Sequence, residues 1–312
     1  MPLKIHFLNV GRGDCTIIEF PSGNLTMVDI DNLKDLDPTT KGGILAEVQK
    51  SLGPLAFLME RQKLAEAEAK ITDPFEYFEE RLGDAHIFRL IITHPDMDHM
   101  TGLKRLVRER VLSNFWHSGD HDFNLERWKE GPYDQEDWKT YQRLRESESN
   151  PRALVNRAGD RGSYWTQDGI EVLAPTEELV SLAVERELAN IISTVLRITY
   201  VGRTILLGGD ATADESWPAM MQSSEIGEVD VLKASHHGRK TGFYRKAARA
   251  MSPWLTITSV GQEEYDATES YRRYSTHTVS LRESGDIRIT IQDDGKLLYS
   301  PNIESVWEGQ IS

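Results

Sequence analysis

The sequence predicts an α+β protein built as one domain over residues 1–312, with two helical insertions. β-branched and apolar runs bounded by turn residues occupy residues 3–31 and return after residue 170, as expected for strands. Residues 34–83 are rich in Ala, Leu, Glu and Lys at helical spacing, and residues 117–165 are polar, charged and aromatic. No repeat of fixed period, low-complexity segment or linker separates these parts, which favours a single domain.

The strands and helices are expected in a simple order. Turn residues at 11–14 and 21–24 separate three short strands, so the chain should begin with a meander. An apolar run at 87–93 leads directly into a helical pattern. The turns at 201–203 and at "DDG" (293–295) each join two strand-like runs, and they predict one hairpin in the second half of the chain and one near its end.

The composition limits the choice of partners and of cellular location. The chain has 36 lysines and arginines against 50 aspartates and glutamates, a net charge of −14, so long duplex nucleic acid and anionic lipid repel it. A small anion or a strand end could still bind at a local cationic or metal site. A single cysteine, Cys15, excludes an intrachain disulfide and a cysteine-rich zinc site. With no apolar run approaching 18 residues, we expect a cytoplasmic protein without a membrane partner.

Three predicted strands end on side chains of the kind that bind metals. Strand ends are rigid, so loops that leave them can direct several ligands to one point. Imidazoles mixed with carboxylates suit Zn²⁺, Mn²⁺ or Fe²⁺ better than Mg²⁺ or Ca²⁺. A carboxylate that can bridge two ions, such as that of Asp210, would hold them close together. The candidates are His94, Asp96, Asp98 and His99 after the first strand, Asp210 after the second, and His236 and His237 after the third.

Each of these motifs also has an ordinary explanation. An Asp-His pair in a loop can be a solvated turn, "GGD" (208–210) a plain turn, and "SHHG" (235–238) a helix cap. Four potential ligands within six residues, directly after a buried strand, favour metal binding, and they raise the expectation for the other two motifs. At the third motif we predict His236 as the ligand and His237 as a supporting or substrate-facing residue.

The segment "THPDMDHMTG" (93–102) resembles the HxHxDH signature of the metallo-β-lactamase superfamily, with Asp96 where the second histidine usually stands. This HxDxDH variant, together with "FLNVGRGDCTIIEFPSGNLTMVDID", "STVLRITYVGRTILLGGD" and "VLKASHHGRKTG", is similar to the hydrolase domain of the competence DNA-uptake protein ComEC. The blocks occur in the family's order and span most of the chain. The resemblance implies a four-layer αββα sandwich, free-standing and soluble, with two divalent metal ions, zinc or manganese, at one edge of the packed sheets.

The resemblance also implies which residues hold the ions. His94 and Asp96 would hold the first ion, Asp98, His99 and His236 the second, and Asp210 would bridge them. A further ligand often lies between the first motif and the bridging aspartate; the candidates here are His117, Asp120 and His121, with a solvated loop as the alternative. Asp14 and Asp29 match acidic positions that would support the metal loops through hydrogen bonds, although each could simply cap a turn.

The chemistry implied is hydrolysis by a metal-bound hydroxide. Asp98 could orient the hydroxide, and His237 or His277 could protonate the leaving oxygen, because histidine titrates near neutral pH. For His277 an ordinary loop histidine is the alternative. Arg239 and Lys240 follow "SHHG" and would suit an anionic substrate, or they form a solvated turn.

Three hypotheses about function remain open from the sequence. The leading one is a phosphodiesterase or nuclease that acts on nucleic-acid ends, single strands or small (cyclic) nucleotides. A lactone or amide hydrolase would use the same hydroxide on a carbonyl. In the third, the metal is structural and the two insertions form a surface for a protein partner, with the aromatic residues of 117–165 as anchors. The alternative for these aromatic residues is the apolar face of an ordinary cap that packs over the cleft.

Overall fold

The structure is a computed structural model that describes residues 1–36, 41, 42, 44–46, 48, 56–119, 131–259, 266–301 and 309–311. These residues form fifteen strands, numbered β1 to β15 in chain order: Leu3–Phe7, Thr16–Glu19, Leu25–Val28, Ile87–Ile91, Leu112–His117, Arg152–Val155, Ile170–Ala174, Val195–Tyr200, Arg203–Leu207, Val231–Lys233, Leu255–Thr258, His277–Ser280, Ile287–Ile291, Leu297–Pro301 and Gly309–Ile311. The described helices, numbered α1 to α9, are Ala56–Glu68, Pro74–Leu82, Leu103–Glu109, Gln135–Arg145, Glu177–Arg186, Ser216–Ser223, Arg245–Met251, Thr268–Tyr271 and Leu281–Ser284.

The strands form two sheets. The larger has nine strands in the order β15-β14-β13-β1-β2-β3-β4-β5-β6, and the smaller has six in the order β12-β11-β10-β9-β8-β7. β1, β2 and β3 pair antiparallel, which confirms the predicted meander. The predicted hairpins are present as β8–β9 and β13–β14. Strands β3 to β6, and strands β9 to β12, run parallel, so within each set the carboxyl ends lie on one side.

The core confirms the four-layer αββα sandwich. Side chains from both sheets, such as Ile5 of β1 and Ile205 of β9, form one buried cluster between the sheets. The alternate residue Leu206 belongs to a second cluster with Trp217 of α6, on the outer face of the smaller sheet. A third cluster packs α2, α3 and α4 on the outer face of the larger sheet. This alternation along each strand follows from the two-residue period of the pleat.

The first predicted insertion, 34–83, contains α1 and α2 in its described part, whereas residues 37–40, 43, 47 and 49–55 lie outside the described residues. Helix α2 begins where its sequence favours a start, because Asp73 accepts a hydrogen bond from the Phe75 amide (2.8 Å) and Pro74 takes the first helical position. No helix in the described part of the chain is both long enough and apolar enough to cross a membrane.

The second predicted insertion, 117–165, is only partly helical. It contains α4, but Arg152–Val155 forms β6, which pairs parallel with β5 at the edge of the larger sheet, and His117 is the last residue of β5. This strand is difficult to predict from the sequence, because an edge strand of four residues with two exposed side chains has a weak apolar pattern.

Candidate metal centre

The candidate metal centre lies where the carboxyl ends of strands from both sheets meet. The loop after β4 carries His94 to His99, the turn after β9 carries Asp210, and the turn after β10 carries His236 and His237. The second and third loops are joined through their backbones, since the His236 amide donates to the Gly209 carbonyl (2.8 Å). The first is tied to the residue before β8, because the Thr194 amide donates to the Thr93 carbonyl (2.9 Å). Parallel pairing puts the ends of β9 and β10 side by side, and the packing of the two sheets brings the end of β4 to the same place, so the metal-type residues converge at one edge as the sequence predicted.

Asp210 is the centre of the cluster, and its two carboxylate oxygens face different histidines. Oδ1 lies 3.5 Å from His99 Nε2, whereas Oδ2 lies 3.9 Å from His94 Nε2 and 3.5 Å from His237 Nε2. His237 Nε2 is also 3.5 Å from Asp98 Oδ2. Asp210 and the three rings are buried, and Asp98 is half-buried. The arrangement is that of a carboxylate able to bridge two ions.

Asp29 determines which nitrogen of each ring faces the centre. Its carboxylate accepts hydrogen bonds from the Thr93 amide, the Thr93 hydroxyl and His99 Nδ1, each at 2.8 Å. When the His99 ring is neutral, as in a metal ligand, its proton is therefore on Nδ1, and Nε2 can present a lone pair to the cluster. Because the Thr93 hydroxyl hydrogen is used on Asp29, Thr93 Oγ1 accepts from His94 Nδ1 (3.1 Å), which leaves the His94 Nε2 lone pair facing inward. Asp29 thus has contacts of the supporting kind that we predicted.

The residues present fit divalent cations. His99 Nε2, Asp210 Oδ1 and both ring nitrogens of His237 are buried and have no hydrogen-bond partner among the described residues. Buried polar atoms are normally paired, so atoms of this kind that converge on one point are suited to hold a metal ion. Ligand atoms 2.0–2.2 Å from a tetrahedral ion lie about 3.4 Å apart, close to the 3.5 Å separations around Asp210.

The charges of the cluster also favour the binding of cations. Burial alone would raise the pKa of Asp210, but His237, His99 and His236 around it hold that pKa well below its usual range. Conversely, burial lowers the pKa of His237, yet the carboxylates of Asp210 and Asp14 raise it to about 9. Bound cations would supply the charge that these carboxylates otherwise obtain from protonated rings.

A buried lysine that the sequence analysis missed supports the centre from the smaller sheet. Lys233, the last residue of β10, donates to Asp14 Oδ1 (2.7 Å) and to Ser259 Oγ (2.6 Å). Asp14 Oδ1 in turn lies 3.4 Å from His237 Nδ1. Asp14 therefore contacts the ring of His237, in keeping with its predicted supporting position. A lysine within a short apolar strand is the only signal in the sequence that could have revealed this network.

The structure places His237 deeper in the cluster than His236, the histidine that the sequence predicted as the ligand. Both have positive φ values, 52° for His236 and 60° for His237, a strained conformation that often marks functional sites. This turn directs His237 into the cluster, where its side chain is 1% exposed, and leaves His236 at the rim, 18% exposed. His236 Nε2 is 3.7 Å from Asp210 Oδ2, so it borders the centre, but His237 lies deeper and contacts more carboxylates.

Asn190 was not predicted, and it lies inside the cluster. Its buried side-chain nitrogen is 3.3 Å from Asp210 Oδ2 and 3.4 Å from His94 Nε2. A half-turn of the amide exchanges its nitrogen for its oxygen, a metal-ligand atom. Asp96 Oδ2 is 3.6 Å from His94 Nε2, on the same side of the cluster. Asn190 precedes β8 in no recognisable motif, so the sequence alone gives no reason to select it.

The other predicted site residues lie away from the cluster or at its border. His117 receives a hydrogen bond from the Gly119 amide (3.2 Å) and belongs to none of the convergent groups found among the described residues. Asp120 and His121 lie outside the described residues. Arg239 is half-buried beside His236, its backbone bridged to Asp266, and Lys240 is exposed.

The placement of His277 corrects its prediction as a proton donor. His277 is exposed and begins β12, where it pairs with Leu255 at the start of β11. The metal-type residues follow the opposite, carboxyl ends of the neighbouring parallel strands. Its ring packs edge-on against Trp254 (5.1 Å between ring centres), so it is an ordinary surface histidine.

The two histidines can be separated by metal affinity. We expect His237→Ala to weaken binding of Zn²⁺ or Mn²⁺ by more than about 100-fold, because it removes a ring that contacts three carboxylates, and His236→Ala to weaken it less. Isothermal titration calorimetry measures both affinities, and His277→Ala is the control that should leave them unchanged. Equal losses in the two neighbours, or a larger loss for His236, would contradict the geometry.

The fold and the centre together define a class of protein: an αββα sandwich with a candidate metal centre at one edge of its sheets. The family profile described as the metallo-beta-lactamase superfamily matches residues 60–253, more than half of the chain. The chain belongs to the metallo-beta-lactamase superfamily, whose members are generally metal-dependent hydrolases.

Individual relatives are more distant. The Recombination protein 2 of Haemophilus influenzae is 26% identical over 140 residues, which are 43% of this chain and 17% of that protein. The chain thus matches about one sixth of the length of this curated relative. The metallo-beta-lactamase fold protein YhfI from Bacillus subtilis is 10% identical, with a TM-score of 0.46 over 96% of this chain and 100% of that one. CmlA, a diiron beta-hydroxylase from Streptomyces venezuelae, is 13% identical, with a TM-score of 0.47 over 93% of this chain and 54% of that one.

Proposed function

We propose that the protein is a metal-dependent phosphodiesterase or nuclease that acts on strand ends, single strands or small (cyclic) nucleotides. The observation that carries the proposal is Asp210, whose Oδ1 faces His99 and whose Oδ2 faces His94 and His237. A carboxylate shared in this way suits two ions held close together, the arrangement that phosphatases and nucleases use for in-line displacement.

The residues of the centre would have three kinds of role: metal ligand, water-orienting residue and proton donor. His94, Asp96 and Asn190 would hold one ion, Asp98, His99 and His237 the other, and Asp210 both. When bound, the ions lower the pKa of a coordinated water and stabilise negative charge. Asp98, which is half-buried, would orient the attacking water. His237 is too deep to reach a leaving group, so His236 at the rim replaces it as the proposed proton donor.

Several features support an anionic substrate. Arg239 lies beside His236 at the rim, and Lys240 is exposed next to it. The net charge of −14 disfavours long duplexes and favours a substrate held at one point. The curated relative is a recombination protein by name, in keeping with nucleic-acid chemistry. The ComEC-like nature of the domain, a cytoplasmic location and a protein partner for the insertions remain predictions.

The test is hydrolysis by the purified protein reconstituted with Zn²⁺ or Mn²⁺. We expect cleavage of bis(p-nitrophenyl) phosphate, a cyclic nucleotide or a single-stranded oligonucleotide, abolished by EDTA and restored by the metal. Asp98→Asn should lower kcat by about 100-fold or more, because the water loses its orienting base. The proposal fails if the metal-loaded protein cleaves a lactone or amide reporter and no phosphodiester, which would identify the carbonyl hydrolase instead.

A further inference from the structure

The turn that carries Arg12 is pressed against the loop that carries Asp98. Gly13 is required there, because a Cβ on it would lie 1.7 Å from the Asp98 carbonyl oxygen. The Gly13 amide donates to Asp31 Oδ2 (2.9 Å), and the Asp14 amide points to the Asp98 carbonyl (3.4 Å). The backbone on both sides of this contact is therefore held in place. Arg12 directly precedes Gly13, so its side chain starts from this turn, at the border of the metal centre.

Tyr133 is held on the same border by the helix that follows it. Asp134 caps the first turn of α4, and Asp137 of α4 accepts hydrogen bonds from the Gly102 amide (2.8 Å) and the Lys104 amide (2.7 Å) at the start of α3. The Tyr133 side chain is half-buried. Burial and the nearby Asp98 carboxylate raise the pKa of its phenol to about 12, so the hydroxyl stays protonated and can donate a hydrogen bond to an anion.

Arg12 carries a positive charge that the described residues do not neutralise. Its guanidinium carbon lies 5.6 Å from the centre of the Tyr133 ring, and the side chain is half-buried. Within the described part of the chain, no carboxylate oxygen lies within 4.0 Å of this guanidinium. Several other arginines in the described part of the chain are paired with carboxylates, as Arg89 is with Asp168 and Arg110 with Glu79. A positioned guanidinium without a carboxylate, beside a candidate metal centre, is suited to an anion from solution.

We propose that Arg12 and Tyr133 form a binding site for a phosphate group of the substrate, next to the metal centre. The guanidinium donates two parallel hydrogen bonds to phosphate oxygens and the phenol hydroxyl donates a third, while the neighbouring ring limits the positions that the guanidinium can take. The inference rests on the proposed function, and it adds the residues that would select a phosphate over a neutral ester. Arg239 and Lys240 would lie at the His236 side of the centre.

The test compares Arg12→Ala, Arg12→Gln and Tyr133→Phe with Arg143→Ala, which removes an exposed arginine from α4. Calorimetry with inorganic phosphate on the metal-loaded protein gives a dissociation constant, and bis(p-nitrophenyl) phosphate gives KM and kcat. We expect Arg12→Ala and Arg12→Gln to raise the dissociation constant and KM by about ten-fold or more, and Tyr133→Phe by about three- to ten-fold, with kcat changed less than about three-fold. Arg143→Ala should match the wild type.

The outcomes separate this inference from the proposed function. If the Arg12 variants retain their metal content and bind phosphate as tightly as Arg143→Ala, the phosphate site is refuted. The same holds if the wild type binds no phosphate. If the wild type binds phosphate through Arg12 but cleaves no phosphodiester, the inference stands as an anion site and the proposed function fails. Two Arg12 variants are compared so that the test remains valid if one of them fails to fold.

Discussion

Replacement of Asp210 by alanine is expected to remove activity almost completely. Among the described residues, its carboxylate is the one that joins the two sides of the cluster, since Oδ1 faces His99 and Oδ2 faces His94. Without it neither ion keeps a full set of ligands, and the loss of several kcal/mol of charge stabilisation corresponds to about a 10³-fold or greater fall in kcat/KM. We also expect metal content, measured by inductively coupled plasma mass spectrometry, to fall below one ion per chain.

Asp214→Ala is a matched control for this prediction, since it removes an exposed aspartate four residues further along the chain. It should retain both metal and activity. Asp210→Asn keeps the size of the side chain and should behave like alanine, because the missing property is the charge. An Asp210→Asn protein that holds two ions and turns over normally would show that the centre is organised around other residues.

The second large effect concerns stability. Arg89 lies in β4 with a side chain 1% exposed, and it donates to Asp168 Oδ2 (2.7 Å) and Thr26 Oγ1 (3.1 Å). Its guanidinium also lies over Phe88 and Trp116. Asp168→Asn is expected to lower the free energy of unfolding by about 3 kcal/mol, because it leaves a buried guanidinium without its counter-charge. Asparagine tolerates the φ of 68° at this position, so the backbone conformation should be unchanged.

Urea denaturation of the single and double variants measures this effect. Arg89→Met with Asp168→Asn should recover most of the lost stability, since the apolar side chain replaces the uncompensated charge among the same rings. If the double variant is as unstable as the sum of the two single variants, the ion pair is not what couples the two positions. Metal affinity should be unchanged in all three proteins, because the pair lies away from the centre.

Much of the fold could be predicted because its signals are local. The meander, the hairpins at 201–203 and 293–295, and the strand before His94 each show their apolar period and their turn residues within a few positions. The kinds of metal ligand were visible for the same reason, since imidazoles and carboxylates directly follow buried strands. The strand at Arg152–Val155 was missed because it is short, lies at an edge and exposes half of its side chains.

The sequence by itself determined the α+β pattern, the strand ends that carry the centre, and the acidic charge that limits the substrate. Only the tertiary structure decided which of His236 and His237 enters the cluster, because that depends on two positive φ angles in one turn. It also brought Asn190 next to His94 and Asp29 next to His99, pairs separated by 96 and 70 residues. Contacts of this kind arise from the packing of two sheets, and no local pattern encodes them.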